Sequence, residues 1–309
     1  MKMRRLGTSG LKVSEVGLGC NNFGMRIDQQ ATQAVVDAAL DAGITFFDTA
    51  DIYGGTKSEE FLGKALGKRR PDITLATKFG MRIGDDPRRM GGSRRWIMRA
   101  VEDSLRRLQT DYIDLYQFHQ PDAQTPIDET LRALEDLVSQ GKVRYIGNSN
   151  VTGWQIADAD WTGAGGTRFV SAQNLYSLLE RKVEFEVLPA CEHFGLGFLP
   201  FFPLASGLLS GKYKRGETPP EGSRLAARGA RGAAAMSDKN FDKVEKLEAW
   251  AGERGHTILE LAFAWLLGHE VVSSVIAGAT TPEQVKANAA TAAWALTPDE
   301  VDEVGKLIG

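Results

Sequence analysis

Short β-rich apolar runs alternate with longer amphipathic runs along the whole chain, and no other feature constrains its fold as tightly. Strand candidates are 16–19, 44–47, 73–77, 113–118, 143–147, 169–172, 197–201 and 272–276. Helical patterns lie between them near 29–42, 57–67, 93–108, 126–140, 152–160, 182–194, 239–267 and 282–292. Ser93, Thr125, Thr281 and Thr297 suit helix N-caps. The last three are followed by proline, which has no N–H to leave unsatisfied in a first turn. Strands alternating with helices imply parallel β-structure with helical crossovers. Runs such as ITFF and DLYQF are near-continuously apolar, as in strands buried on both faces.

Two architectures share this alternation, a doubly wound open sheet and a closed (β/α)8 barrel. An open dinucleotide-binding sheet carries a glycine fingerprint that opens a helix after an early strand. Here Gly17, Gly19 and Gly24 have the third glycine displaced and no helix opening on it, so they read as turn positions. Unbroken βα units favour an α/β TIM barrel, one domain over 1–309, with surplus at 1–15, 203–238 and 293–309. A hairpin around Thr8, Ser9 and Gly10 is expected to plug the barrel bottom. The 203–238 stretch carries Pro219, Pro220 and Gly222, with Arg224, Arg228 and Arg231 among alanines and glycines. A loop of that length reads as an active-site lid or a mobile segment.

Composition narrows the function. With 42% hydrophobic and 25% charged residues the chain is ordinary globular material. Its 37 basic and 40 acidic residues give a net charge of −3, no footprint for nucleic acid or anionic lipid. The basic start MKMRRLGTSGLKV lacks a signal peptide's apolar stretch, and no run of about 18 apolar residues is present to span a membrane. With two cysteines, Cys20 and Cys191, a disulfide framework is excluded and a reducing, cytoplasmic location is expected.

In a barrel, chemistry gathers where strands end at the C-terminal face. Strand two ends at Asp48, with Tyr53 shortly after in DTADIY; strand three ends at Lys78 in LATKF; strand four ends at His119 in LYQFH. Singly, each has an ordinary structural role: a loop-capping acid, a rim aromatic, a surface amine, a core histidine. Jointly they point elsewhere. A lysine directly after an apolar strand needs a buried partner, and Asp48 is the nearest. A phenol titrates near about 10 unless a neighbour intervenes; Lys78 supplies a cation that lowers it, and Asp48 holds that ammonium in place. His119 is suited to hydrogen-bond a substrate oxygen gaining negative charge. No nucleophile stands out, and His119, His193, His256 and His269 show no metal-ligand spacing. Proton delivery to a carbonyl, coupled to hydride transfer, fits best.

These residues sit in longer motifs. RRLGTSGLKVSEVGLG, DTADIYGGTKSEEFLGKAL, ATKFG, DYIDLYQFHQPD, GKVRYIGNSN, PLASGLLSGKY and VIAGATTPEQVKAN together resemble the aldo-keto reductase family, in order and spacing, over nearly the whole chain. The resemblance implies a barrel binding NADP(H) across its mouth, with NAD also possible. It implies a catalytic tetrad of Asp48, Tyr53, Lys78 and His119 in which Tyr53 donates the proton. By the same resemblance Ser149, Asn150 and Gln173 hold the nicotinamide carboxamide, and Phe201, at a position usually tyrosine or tryptophan, stacks on the ring. The segment from Phe202 to Lys212, with Pro203, Leu204, Ser206 and Leu208, matches the stretch along the pyrophosphate. Gly278, Thr280, Gln284 and Asn288 match positions around the 2′-phosphate and adenine, and Arg224 an arginine reaching the adenosine end.

Many NADP-preferring members carry Lys or Arg near this helix start, where Gly278 and Gln284 stand here. Discrimination against NADH is therefore expected to be weaker, with Arg224 or another loop arginine the remaining charge. The run from Thr281 to Gln284 is also a capping box, and a helix N-terminus is itself an anion site, so the two roles are compatible.

The resemblance implies reduction of a small aldehyde or ketone, or oxidation of the alcohol. The family also holds potassium-channel β subunits, which the TTPEQ motif resembles, so a non-catalytic, cofactor-binding regulatory subunit is the competing reading. Those subunits lack histidine where His119 stands. A barrel isomerase or hydrolase calls for metal ligands or paired carboxylates, and neither is visible. Phe23, Met25, Trp96 and the 203–238 loop suggest an apolar substrate mouth without naming a substrate or an oligomeric state.

Overall fold

Each strand sends alternate side chains to opposite faces, and here one face looks into a closed barrel. The computed structural model describes the backbone of residues 1–309 and every side chain except those of Arg228 and Arg231. Strands β1 (Met3–Arg5) and β2 (Lys12–Ser14) pair antiparallel. Strands β3 (Val16–Gly19), β4 (Phe46–Asp48), β5 (Thr74–Phe79), β6 (Ile113–Phe118), β7 (Val143–Ser149), β8 (Phe169–Gln173), β9 (Gly197–Phe198) and β10 (Val275–Gly278) form one parallel sheet. Its order is β10-β3-β4-β5-β6-β7-β8-β9. Parallel bridges from Phe198 to Val272 and from Phe201 to Ile276 close it into a (β/α)8 TIM barrel.

Helices α1 (Gln29–Asp41), α2 (Lys57–Leu66), α3 (Arg94–Leu108), α4 (Ile127–Ser139), α5 (Gly153–Thr162) and α6 (Val187–Phe194) each follow one of β3 to β8. Between β9 and β10 lie α7 (Ala230–Ala235), α8 (Asp238–Gly252) and α9 (Ile258–Leu267); α10 (Pro282–Ala290) and α11 (Pro298–Leu307) close the chain. No described helix is long and apolar enough to cross a membrane.

Inside the barrel Phe46, Ala76, Leu115, Leu199 and Ile276 pack against Leu6 and Val13 of the β1–β2 hairpin, which plugs the N-terminal end. Two residues further on, hence on the same inward side, come Asp48, Lys78, Gln117, Phe201 and Gly278. The same period that builds the apolar floor therefore builds a polar layer above it. That layer is the C-terminal mouth.

Several boundaries differ from the sequence reading, each for a local reason. The pattern at 239–267 splits into α8 and α9 because Gly255 adopts φ +76° and Thr257 opens a new helix in a capping box with Glu260. At α4 the N-cap is Pro126, and the Thr125 hydroxyl donates to Asp122 instead. The ladder of β4 begins at Phe46, after the Thr45 and Phe46 N–H groups have both been accepted by Ser14 Oγ. Val272 and Ser273 serve the bridge to Phe198, so β10 begins later, at Val275. The 203–238 loop is partly structured, with consecutive tight turns at Ala205–Ser210 and a single helical turn at Ala226–Arg228 preceding α7.

Candidate active site

The deepest member of the polar layer is Lys78, fully buried on β5. Its ammonium donates to Asp48 Oδ2 at 2.6 Å and to the Thr49 carbonyl at 2.8 Å, and reaches Tyr53 Oη at 3.5 Å. An ammonium has three hydrogens, and these are three acceptors. Asp48 Oδ1 in turn accepts from Gln117 Nε2 at 2.9 Å and Gln173 Nε2 at 3.0 Å. The carboxylate is thus tied to β5, β6 and β8 at once, as a buried charge must be.

Tyr53 comes from the turn after β4. Thr49 N–H donates to Ala76 O and Asp51 N–H to Lys78 O, which holds this turn against β5. Gly54 follows at φ +60°, where a Cβ would stand 2.5 Å from the Phe23 carbonyl, so only glycine fits. The Tyr53 ring packs edge-on to His119, with centroids 5.7 Å apart. His119 leaves β6 with its N–H on the Phe79 carbonyl at 2.8 Å, and its own carbonyl accepts from Asn150 Nδ2 at 2.9 Å.

Burial sets the protonation states. It works against the Lys78 ammonium, yet Asp48 and Tyr53 outweigh it and the amine sits above its ordinary pKa. For Tyr53 burial is the largest influence and raises the phenol, against the opposing pull of Lys78. The net direction is the reverse of that expected from a neighbouring cation alone. Burial, reinforced by Lys78, pushes His119 down to about 3. The site therefore presents a neutral imidazole and a protonated phenol. His119 Nδ1 is buried without a hydrogen-bond partner, which leaves Nε2 for a ligand.

From Asp48, Tyr53 and His119 a cavity of about 750 Å³ runs across the mouth to the start of α10. Ser149, Asn150, Gln173 and Phe201 line the end beside Tyr53 and His119. Phe202, Pro203, Leu204, Ser206 and Lys212 line its middle. Arg224, Gly278, Thr280, Gln284 and Asn288 line the far end. Leu208 is not among the lining residues; it is buried with Tyr213, Leu225 and Phe241 and anchors the loop from beneath.

The walls fit an extended dinucleotide. Asn150, Phe202 and Ser206 all hold φ between 52° and 62°, a strained region for non-glycine residues, and all three face the cavity. A Cβ on Gly278 would crowd Asn21 and Asn22 at 3.1 and 3.2 Å. Ser149 donates to Gln173 O at 2.7 Å, so the expected carboxamide group is one hydrogen-bonded unit joined to Asp48. Lys212 and Arg224 bring cations to the stretch where phosphates would lie. Gln284 Oε1 accepts from Thr280 N–H and Oγ, while Thr281 Oγ accepts from the Gln284 N–H; the box is shifted by one residue.

Other lining residues escaped the sequence reading. Asn21, Asn22 and Arg26 follow the end of β3, and the strand-end rule applied to that first barrel strand would have found them. Arg224 donates to Asn22 Oδ1 at 3.0 Å and Arg26 to the Gly222 carbonyl, so the long loop is strapped over the cavity. Gln117, which donates to Asp48 and does not line the cavity, also escaped the sequence reading, although strand period marks the position. Phe23 and Trp96 do not form the mouth: both are core residues, 0% and 2% exposed, whereas Met25 is 61% exposed. The apolar group lining the cavity on this side is Met81.

Comparison with known proteins agrees with this geometry. The aldo/keto reductase family model matches residues 15–308. A probable voltage-gated potassium channel subunit beta of Oryza sativa subsp. japonica is 38% identical over 100% of this chain and 97% of its own length. An uncharacterized oxidoreductase of Bacillus subtilis, YrpG, is 42% identical over 93% of this chain and 89% of its own. A versiconal hemiacetal acetate reductase of Aspergillus parasiticus is 34% identical over 97% of this chain and 95% of its own. With the barrel, the polar layer and a match along nearly its whole length, the chain belongs to the aldo/keto reductase family.

Proposed function

We propose that this protein reduces an aldehyde or ketone to the alcohol with hydride from NADPH, and that Tyr53 delivers the proton. The observation that carries this reading is the direction of the Lys78 hydrogen bonds. The ammonium donates to the phenol oxygen, so the phenol's own proton is left to point at a ligand. A carbonyl oxygen placed between Tyr53 and His119 meets an O–H and a neutral imidazole N–H, both suited to charge developing on that oxygen. Bound nicotinamide supplies the hydride to the carbonyl carbon; the proton from Tyr53 completes the alcohol, and solvent reprotonates the phenol. Ser149, Asn150, Gln173 and Phe201 would orient the ring, and Lys212 and Arg224 would hold the phosphates. Buried thiols at Cys20 and Cys191 suit work in the reducing cytoplasm.

Preference for NADPH over NADH is expected to be modest. One charge-assisted contact is worth about 1.5–3 kcal/mol, roughly one to two decades of affinity. Arg224 is the described loop arginine for that contact; Arg215 is paired with Asp238, Asp242 and Glu245, and the side chains of Arg228 and Arg231 lie outside the described residues. The test is a panel of aldehydes, ketones and sugars followed by loss of reduced-cofactor absorbance, with NADPH and NADH in parallel. Turnover with a lower KM for NADPH is the expected result. Equal KM values would contradict the phosphate assignment.

The relatives named as channel subunits favour a second reading, a cofactor-binding regulatory subunit without turnover. His119 in contact with Tyr53 argues for the enzyme. Tight cofactor binding with no oxidation across the whole panel would decide for the subunit.

A further inference from the structure

The loop between β5 and α3 folds around a second, much smaller cavity of about 40 Å³, lined by Asp86, Arg88, Arg89, Arg95, Trp96 and Arg99. Four guanidiniums face one carboxylate, and that carboxylate is engaged: Asp86 accepts from Arg88 Nε and Nη2, each at 2.9 Å. Arg99 approaches Asp103 only to 3.9 Å. Among the described residues Arg89 and Arg95 have no ion-pair partner.

Two buried donors are also without acceptors. Trp96 is 2% exposed and its indole Nε1–H has no partner; Arg89 Nε is buried in the same condition. The two belong together, because the Arg89 guanidinium lies 5.7 Å from the centre of the Trp96 ring. Buried donors are almost always satisfied in folded proteins, so a pair of them at one cavity asks for an acceptor.

The helix adds a third, independent indication. The first turn of α3 carries Arg94 and Arg95 and no acid, and Ser93 makes no side-chain cap. Glu129 accepts from the Arg94 N–H at 2.9 Å, and Arg94 itself pairs with Asp136. Among the described residues Arg95 is therefore the first-turn cation left without a counter-charge at the positive end of the helix, the reverse of what its dipole favours. A small oxyanion answers all three conditions, since it accepts hydrogen bonds and brings negative charge.

We propose that this cavity is an oxyanion site for a phosphate-type group, held by Arg89, Arg95 and the Trp96 indole N–H. Met81, at the start of the same loop, lines the catalytic cavity. The phosphate is therefore either free in solution or carried on a carbonyl substrate entering the mouth. Two arms of one experiment separate these sources.

In the first arm the melting temperature of the full chain is followed at low ionic strength as inorganic phosphate is added, against sodium chloride of equal ionic strength. Phosphate is expected to raise it where chloride does not. Arg95→Gln, at an exposed position that leaves the core intact, should weaken the response about tenfold, as should Arg89→Gln. Lys212→Gln, in the cofactor cavity, should retain it. An identical response to chloride, or loss in Lys212→Gln with retention in both arginine variants, overturns the proposal. Binding needs no turnover, so this result stands apart from the reductase reading.

In the second arm KM is compared for glyceraldehyde and its 3-phosphate. A lower KM for the phosphate ester that vanishes in Arg95→Gln names the substrate's phosphate as the occupant. Equal KM values with the melting response intact name free phosphate.

Discussion

At the scale of single residues, burial decides more than neighbouring charge does. Tyr53 shows this. The motif correctly places a lysine beside it, but the sequence does not show that their contact lies where water is excluded, so the phenol ends above its ordinary value. In its proposed role as proton donor, Tyr53 so poised stays loaded through neutrality. Reduction should be level from neutral pH to about pH 10 and fall only as pH rises through the raised Tyr53 value. Lys78→Met should slow turnover by roughly 10² or more, because Asp48 is left without its counter-charge and the phenol oxygen without its donor; steady-state rates at saturating cofactor test this.

His119 makes a prediction about stability. Its folded value is depressed from 6.5 to about 3, so between those pH values the unfolded chain binds the proton that the folded chain refuses. The stabilisation is complete above about pH 6.5 and is lost as pH falls toward 3. His119→Gln should therefore flatten this part of the acid limb. Denaturant melts of both proteins at pH 7 and pH 4 give the comparison, and an unchanged difference between the two pH values in the variant would contradict it.

At the scale of elements, the long loop was legible by its length and arginines, but not by its anchors. Leu208, Tyr213, Leu225 and Phe241 meet in one buried cluster although irregular spacing separates them in the chain, so no period marks them. The loop is thus a strap fixed at its base and pinned to the β3–α1 connection by Arg224 and Arg26. Hydrogen exchange at about 214–236 should slow when NADP is added while the barrel strands barely change. Arg224→Ala should weaken NADP more than NAD. Equal weakening of the two would show that Arg224 serves only to staple the loop to Asn22. The undivided reading of 239–267 failed for a related reason: apolar spacing runs on through the break, and Gly255 with Thr257 is a local signal that spacing does not weigh.

At the scale of the whole molecule, the barrel was legible because strand period and crossover helices repeat from end to end. The residues that close it were not, since the bridges at Phe198 and Phe201 involve single residues that leave no run of their own. Nor was the mouth. Phe23 lies soon after β3 and Trp96 in the first turn of α3, and only packing shows that both turn into the core. What the molecule as a whole does is bring Asp48, Lys78 and His119 from three adjacent strands, with Tyr53 from the turn after the first, to one oxygen-sized place, and the account rests on Tyr53 giving up its proton there. The direct measurement is turnover of Tyr53→Phe with the best carbonyl of the panel, alongside its affinity for NADPH. Turnover is expected to be lower by roughly 10²–10⁴ with cofactor affinity unchanged; wild-type turnover in that variant would contradict the proposed role of Tyr53.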